Sequence, residues 1–307
     1  MKILKENIAM VSVCMITYNH ELYIREALDG VVMQKTNFKI ELILGEDCSS
    51  DETRKICENY AAKYPELIQL LPSDCNLGMS QNGIRTLQSC KGKYIALLEG
   101  DDYWTDPLKL QKQVDFMELN PEYSMCFTRF RLINQIKNII SDDYNEGFFE
   151  DTMPIEFNFE TLNKGWQIGT QTLMFRKESL KLMEINNFKY FRDVHLISFL
   201  LNNGKGKCLG FFGAAYRIHE NGIHNSKTFL EKSKMGAACY LELYKHFKDK
   251  PHLILFKFYN DRYYNLLRQG GYYFKAFFAG ASLFLIDHNY KIISSKLINL
   301  LRDIKNK

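Results

Sequence analysis

KYIALLEGDDYWTDP, residues 93–107, changes character in its middle. Tyr94 to Leu98 is an apolar run long enough for a buried strand and too short for a helix. Glu99, Gly100, Asp101 and Asp102 follow at once, placing three carboxylates where that strand must end. Asp106–Pro107 then reads as an N-cap with proline at the first helical position. Crowded carboxylates at the end of a buried strand repel one another unless a positive charge lies between them. Hard divalent cations, Mn²⁺ or Mg²⁺, take oxygen ligands of this kind together with substrate phosphates. The alternative is a solvated acidic turn that caps a helix, and the flanking chain decides between the two.

Upstream, residues 11–18 (VSVCMITY) are apolar on both alternating faces, as in a strand buried between two layers. Glu21 to Gln34 carries helical spacing, and Ile40 to Gly45 is a second buried strand. Ser49 and Glu52 form a Ser-x-x-Glu capping box, predicting a helix with Ile56, Tyr60 and Tyr64 on one stripe. Ile68 to Leu71 is a third strand, followed by a loop over 76–83 and a helix ending near Gly92. Downstream, Leu110, Val114 and Met117 repeat at helical spacing, and Tyr123 to Leu132 is a strand. Residues 134–160 are polar, acidic and irregular. Gln167 to Phe175 and Cys208 to Ile218 are further strands, with a helix after Arg192–Asp193 between them.

Strands alternating with helices predict an α/β fold with a mostly parallel sheet flanked by helices. In such sheets ligands bind outside the carboxyl ends of the strands. Three polar clusters fall there: Thr17–Tyr18–Asn19, Glu46–Asp47, and Glu99 to Asp102.

At 307 residues the chain can bury one large core and a smaller appended unit. Its eight cysteines show no CxxC pair and no zinc spacing, a pattern of reduced thiols in the cytoplasm. No signal-peptide pattern opens the chain. The net charge of +4 hides an asymmetry: from Thr228 onward 14 Lys/Arg stand against 6 Asp/Glu. These last eighty residues hold sixteen aromatics at helical periodicity, and their longest uncharged run, Ala276 to Ile286, is too short to span a bilayer. Residues 1–227 thus form an α/β domain and 228–307 a basic, aromatic-rich helical region. That region either packs on itself and the body or rests on an anionic membrane surface.

With these residues assembled, the chain resembles a family-2 glycosyltransferase of the GT-A fold, the kind that builds bacterial polysaccharides, over roughly residues 8–225. The family opens with VSVIIPTYN, here VSVCMITYN, and a helix ending in Gln, here Gln34. Its VDDGSxDxT is here GEDCSSDET. Its A-x-G-x-Y-I-x-F-L-D-x-D-D-x-W-x-P is here CKGKYIALLEGDDYWTDP. An acidic residue opening a helix corresponds to Asp193, and Tyr-Arg-x-His to Tyr216–His219. Four positions depart from the pattern. Glu99 and Glu46 stand for aspartates, Cys48 for a glycine, and Arg192–Asp193 for Glu-Asp.

The resemblance implies an inverting, metal-dependent transfer of sugar from a nucleotide diphosphate sugar, a UDP-sugar, to a hydroxyl of a glycan or lipid-linked acceptor. It assigns Asp193 as general base. Asp101, Asp102, Glu99 and His219 become ligands of Mn²⁺ or Mg²⁺, and Thr17, Tyr18, Asn19, Asp47 and Asp101 contacts of the donor. Each has a plainer role beside it: strand-end capping for Thr17, Tyr18 and Asp47, a helix N-cap for Asp193, a loop hydrogen bond for His219. The location implied is cytoplasmic, with peripheral contact at the inner membrane face.

Other functions fit the residues less well. A dinucleotide-dependent oxidoreductase needs a GxGxxG turn where this chain has TYNHE. A sugar-1-phosphate nucleotidyltransferase needs a glycine-rich basic loop after the first strand, which is absent. Nucleic acid is not an expected partner, because no basic aromatic platform lies on the sheet. A non-catalytic nucleotide-sugar or carbohydrate-binding protein on the same fold is the competing reading, prompted by Glu99.

Overall fold

The structure is a computed structural model that describes residues 9–143, 155–164, 168–180, 185, 188–220, 222, 227–287 and 290–305. The chain divides into two compact units, Met1–His219 and Glu220–Lys307.

In the first unit, β1 (Val11–Thr17), β2 (Ile40–Glu46), β3 (Ile68–Leu70) and β4 (Tyr94–Glu99) run parallel in the order β3-β2-β1-β4. The sheet continues with β5 (Tyr103–Trp104), β6 (Tyr123–Asn134), β9 (Met174–Arg176) and β10 (Lys205–Ile218), in the order β9-β6-β10-β5. Between them in the chain, β7 (Ile139–Asp142) pairs with β6 and β8 (Glu156–Phe157) with β10. β9 is antiparallel to both β4 and β6, while β6 and β10 are parallel. The long strands therefore all point the same way, and their carboxyl ends open on one edge of the sheet.

Helices α1 (Ile24–Val32), α2 (Thr53–Lys63), α3 (Met79–Ser89), α4 (Lys109–Leu119), α5 (Phe159–Lys164) and α6 (Asp193–Asn202) connect these strands. Met15, Leu42, Leu44, Tyr94, Ala96 and Leu98 pack in one core with Ile24, Leu28 and Val31 of α1 and Leu110, Val114 and Met117 of α4. Burying such a side chain contributes roughly 1.5–3 kcal/mol, so this core, rather than the loops, holds the strand ends in place.

Three local expectations are corrected. The capping box at Ser49 and Glu52 does not form: α2 begins at Thr53, and Ser49 Oγ instead accepts the Asn19 amide at 2.9 Å. Asp51, just before the N-cap Glu52, accepts the Thr53 amide at 2.9 Å. The strand expected over 167–175 is shortened to β9, because Thr170–Thr172 makes a turn of 3₁₀-helix; Gln167 lies outside the described residues. Regular helix after Pro107 starts at Lys109 rather than at the proline, although Asp106 Oδ1 does accept the Leu108 amide at 2.8 Å. The irregular stretch 134–160 contains β7 and β8, and residues 144–154 within it lie outside the description.

The second unit contains α7 (Phe229–Phe247), α8 (Lys250–Gln269), α9 (Tyr273–Asp287) and α10 (Tyr290–Lys305). Thr228 and Glu231 exchange hydrogen bonds in a capping box, and Asp249 caps α8 with Pro251 in its first turn. Tyr264, Leu267, Ala276, Ala279 and Leu300 form its core. Among the described residues no helix is long and apolar enough to cross a membrane. Phe274, Phe277 and Phe278 nevertheless stand exposed along α9, with Lys275 exposed beside them.

Candidate active site

Glu99, Asp101 and Asp102 converge where β4 ends: each offers a carboxylate oxygen, and the three atoms lie within 4.8 Å of one another. Gly100 permits the turn between them. A Cβ there would stand 2.3 Å from Thr17 Oγ1 and 2.6 Å from Thr17 Cβ, so only glycine lets the β4 end approach the β1 end this closely.

Two histidines flank Asp101. His219, which follows β10, places Nε2 3.2 Å from Asp101 Oδ2, and His20 Nε2 lies 3.8 Å from the same oxygen. The His20 ring is oriented by Thr17, whose Oγ1 is 3.2 Å from Nδ1. The His219 ring packs on Tyr23 at a centroid distance of 4.6 Å. Arg217, two residues before His219 on β10, donates its amide to Asp102 Oδ1 at 2.7 Å and its guanidinium to the Asp101 carbonyl at 2.8 Å. The guanidinium lies over the rings of Tyr23 and Tyr103, 4.7 and 5.1 Å from their centroids, and pairs with Glu26. Arg217 is thus a positioning residue for both aspartates.

These partners leave lone pairs spare. Asp101 Oδ1 and Asp102 Oδ2 are buried and have no hydrogen-bond partner among the described residues, and Asp102 is only 1% exposed. Buried carboxylate oxygens left this way are costly. Their chemistry, three hard oxygen donors with an imidazole beside them, fits Mn²⁺ or Mg²⁺.

Proton affinities record the crowding. Burial, then the charges of Asp101 and Asp193, push Glu99 up to about 8. Burial, then repulsion from Asp101 and Glu99, raises Asp102 well above its usual range. Asp101 behaves oppositely: burial works against its charge, but the His219 contact and the neighbouring His20 hold it below the ordinary value.

Between about 4.5 and 8 the folded chain holds a proton on Glu99 that the unfolded chain gives up. The stabilising contribution of this group is therefore complete below 4.5 and lost as pH rises through 8. The metal-free chain is expected to melt at lower temperature at pH 8 than at pH 6. Since ligation needs the ionised form, Mn²⁺ affinity should rise over the same interval with protons released. Calorimetric Mn²⁺ titrations at both pH values, in two buffers of different ionisation enthalpy, check this. A pH-independent affinity with no proton release would contradict the three-carboxylate cluster.

Asp193 is the first residue of α6, and the N-cap position beside it belongs to Arg192. Its carboxylate is thus not the helix cap, and Oδ1 accepts the adjoining Val194 amide at 3.0 Å. It lines, together with Glu99, a cavity of about 120 Å³ between α3, β4 and the start of α6.

The remaining expected residues sit on the β1 and β2 ends. Thr17 is buried against His20, and Tyr18 is exposed. Asn19 takes a left-handed backbone, φ 53°, and its Oδ1 accepts the Ser50 amide, tying the β1 loop to the α2 loop. Asp47 is buried, and its two oxygens accept the Leu77 and Gly78 amides at 2.9 and 2.8 Å, fastening the loop before α3. The structure therefore brings Glu99, Asp101 and Asp102 into one cluster, with His219 against Asp101 and Thr17 behind it through His20. Asp47 and Asn19 serve the loops that frame it.

Sequence reading misses His20 and Arg217 as site residues. A signal existed for Arg217: in an extended chain, residues two apart share a face, and Arg217 stands two before His219. His20 carried no comparable periodicity, because it lies in the turn beyond β1.

Comparison with known proteins adds to this geometry. The family described as glycosyl transferase family 2 matches residues 12–181. An uncharacterised protein of Mycobacterium tuberculosis H37Rv is 34% identical over 247 residues, covering 75% of this chain and 66% of that one. The chain thus spans just under two thirds of that relative's length. An uncharacterised glycosyltransferase of Methanocaldococcus jannaschii is 25% identical over 301 residues, 97% of this chain and 94% of the other. A Bacillus subtilis protein named for teichuronic acid biosynthesis as a glycosyltransferase, TuaG, is 28% identical over 223 residues, 71% and 82% of the two chains. In fold, the chain is similar to Staphylococcus aureus TarS 1–349 in complex with UDP-GlcNAc, with TM-score 0.65 and 18% identity over 90% of this chain and 81% of that one. It is also similar to a Pyrobaculum calidifontis mannosyltransferase in complex with GDP-Man and Mn²⁺, with TM-score 0.61 and 15% identity over 98% and 88%.

Proposed function

The chain belongs to glycosyl transferase family 2, and on that premise we propose that it transfers a sugar from a UDP-sugar to a hydroxyl of a glycan or lipid-linked acceptor in polysaccharide biosynthesis, with inversion at the anomeric carbon. The observation that carries this reading is the convergence of Glu99, Asp101 and Asp102 at the end of β4, with Asp193 lining the same cavity as Glu99. Relatives of the same fold that hold UDP-GlcNAc, or GDP-Man with Mn²⁺, support the donor class.

Asp101, Asp102, Glu99 and His219 would hold Mn²⁺ or Mg²⁺. Such an ion supplies charge neutralisation of the leaving diphosphate. Thr17, Tyr18 and Asn19 border the nucleotide, Tyr18 through its exposed ring, and Asp47 holds the 76–78 loop against it. Arg217 keeps the two aspartates in place. Asp193 accepts the acceptor's hydroxyl proton as that oxygen bonds to the anomeric carbon and the bond to the diphosphate oxygen breaks.

Slow release of UDP from a UDP-sugar in the presence of Mn²⁺ tests the reading. Binding of the UDP-sugar with no release, even over long incubation with acceptor lipid, would favour the non-catalytic binder instead.

The second unit would bring the enzyme to an anionic membrane surface, because its net positive charge accompanies the exposed Phe274, Phe277 and Phe278. Basic side chains near such a surface contribute about 1 kcal/mol each. The full chain is expected to co-sediment with vesicles containing phosphatidylglycerol and less with pure phosphatidylcholine. Replacing the three phenylalanines by serine should weaken the binding at least roughly tenfold, through the apolar area each ring loses. Equal sedimentation with both vesicle types would defeat the electrostatic part.

A further inference from the structure

The cavity shared by Glu99 and Asp193 has walls that the transfer chemistry does not call for. Met79 and Leu87 of α3, Leu97 of β4, Phe191 and Leu196 line it, and Gly83 leaves one wall without a side chain. A Cβ built on Gly83 meets nothing within 4 Å. Ser80 and Thr170 belong to the same lining; Thr170 hydrogen-bonds the Glu99 side chain, and Ser80 Oγ donates to the Phe191 carbonyl at 3.2 Å, joining α3 to the loop before α6.

We propose that this pocket receives the acetamido group of the donor sugar, so that the chain takes N-acetylhexosamine donors in preference to plain hexoses. The proposal rests on the donor reading above. Glu99 belongs to the carboxylate cluster at the diphosphate end and Asp193 to the acceptor end, so the sugar between them is the donor's, and the pocket opens beside both. A hexose presents only hydroxyls to these walls, and a hydroxyl leaving water for an apolar wall is penalised. An acetamido methyl gains by the same burial, while its amide meets the hydroxyls of Ser80 and Thr170. A 6-deoxy methyl would use the walls and offer the Ser80 and Thr170 hydroxyls no polar group to meet.

Calorimetry on the full chain with Mn²⁺ and four probes tests this: UDP, UDP-GlcNAc, UDP-glucose and UDP-6-deoxyglucose. UDP-GlcNAc is expected to bind roughly 10- to 200-fold tighter than UDP-glucose, the usual discrimination of an apolar pocket for small groups. Gly83→Leu should bring that ratio close to one, and Gly83→Ala should lower it partway. Neither variant should melt earlier, since both residues favour a helix interior over glycine. Equal affinity for the two sugars, a gain confined to the 6-deoxy sugar, or an equal fall for both sugars in Gly83→Leu would overturn the pocket assignment. Failure of UDP itself to bind would overturn the donor reading, and the pocket assignment with it.

Discussion

Asp193→Asn is expected to lower sugar transfer by about 10²–10⁴-fold, the usual worth of a positioned base, while UDP-sugar affinity stays within about twofold of the parent. The substitution keeps the side chain's shape and removes its capacity to take a proton. It also spares the helix, because the N-cap of α6 is Arg192 and not Asp193. A second consequence follows from position. Asp193 is one of the charges that raise Glu99, so the variant should let Glu99 ionise at lower pH and bind Mn²⁺ no less tightly. UDP release with Mn²⁺, measured beside calorimetric UDP affinity, reads both effects. Turnover within a few-fold of the parent would remove Asp193 from the base role.

Asp101→Asn should weaken Mn²⁺-dependent donor binding by more than about 100-fold, since even outer partners of metal ligands are worth 10–100-fold. Asp101 is the carboxylate kept ionised, by His219 and His20. It also carries a buried oxygen with no partner among the described residues. Its loss need not unfold the chain. Removing one charge from a three-carboxylate cluster relieves repulsion on Glu99 and Asp102, which offsets the lost histidine contacts. The metal-free melting temperature is therefore expected to change little, whereas the rise on adding Mn²⁺ and UDP should disappear. Unaltered Mn²⁺-dependent binding in a folded Asp101→Asn chain would dissolve the proposed metal cluster.

Much of this site was legible residue by residue. The abrupt switch from Leu98 to Glu99 marked the end of a strand, and β4 does end at Glu99. The Thr17–Asn19 and Glu46–Asp47 clusters likewise follow β1 and β2. What misled was local hydrogen-bond chemistry with two solutions. Ser49 had the spacing of a cap, but the β1 turn competed for its hydroxyl and took it through Asn19. Thr170–Thr172 had the apolar flanks of a strand, yet β9 pairs with β4 only from Met174 onward. Asp47 was read as a contact of the donor, and its hold on the loop before α3 through two accepted amides was not legible. In each case the deciding partner lay thirty or more residues away, or in a pairing that no short window contains.

Alternation of apolar and polar residues is a local property, so the chain's order of letters was enough to determine the α/β class, the strand ends and the acidic character of the turn at 99–102. Which of those turns meet was decided only by tertiary structure. Asp101 faces His219, and Arg217 supports Asp102, because β9 enters antiparallel between β4 and β6 and leaves β10 pointing its carboxyl end the same way as β4. Strand order is set by the packing of distant segments, and nothing in the spacing of residues along one segment records its neighbour in the sheet.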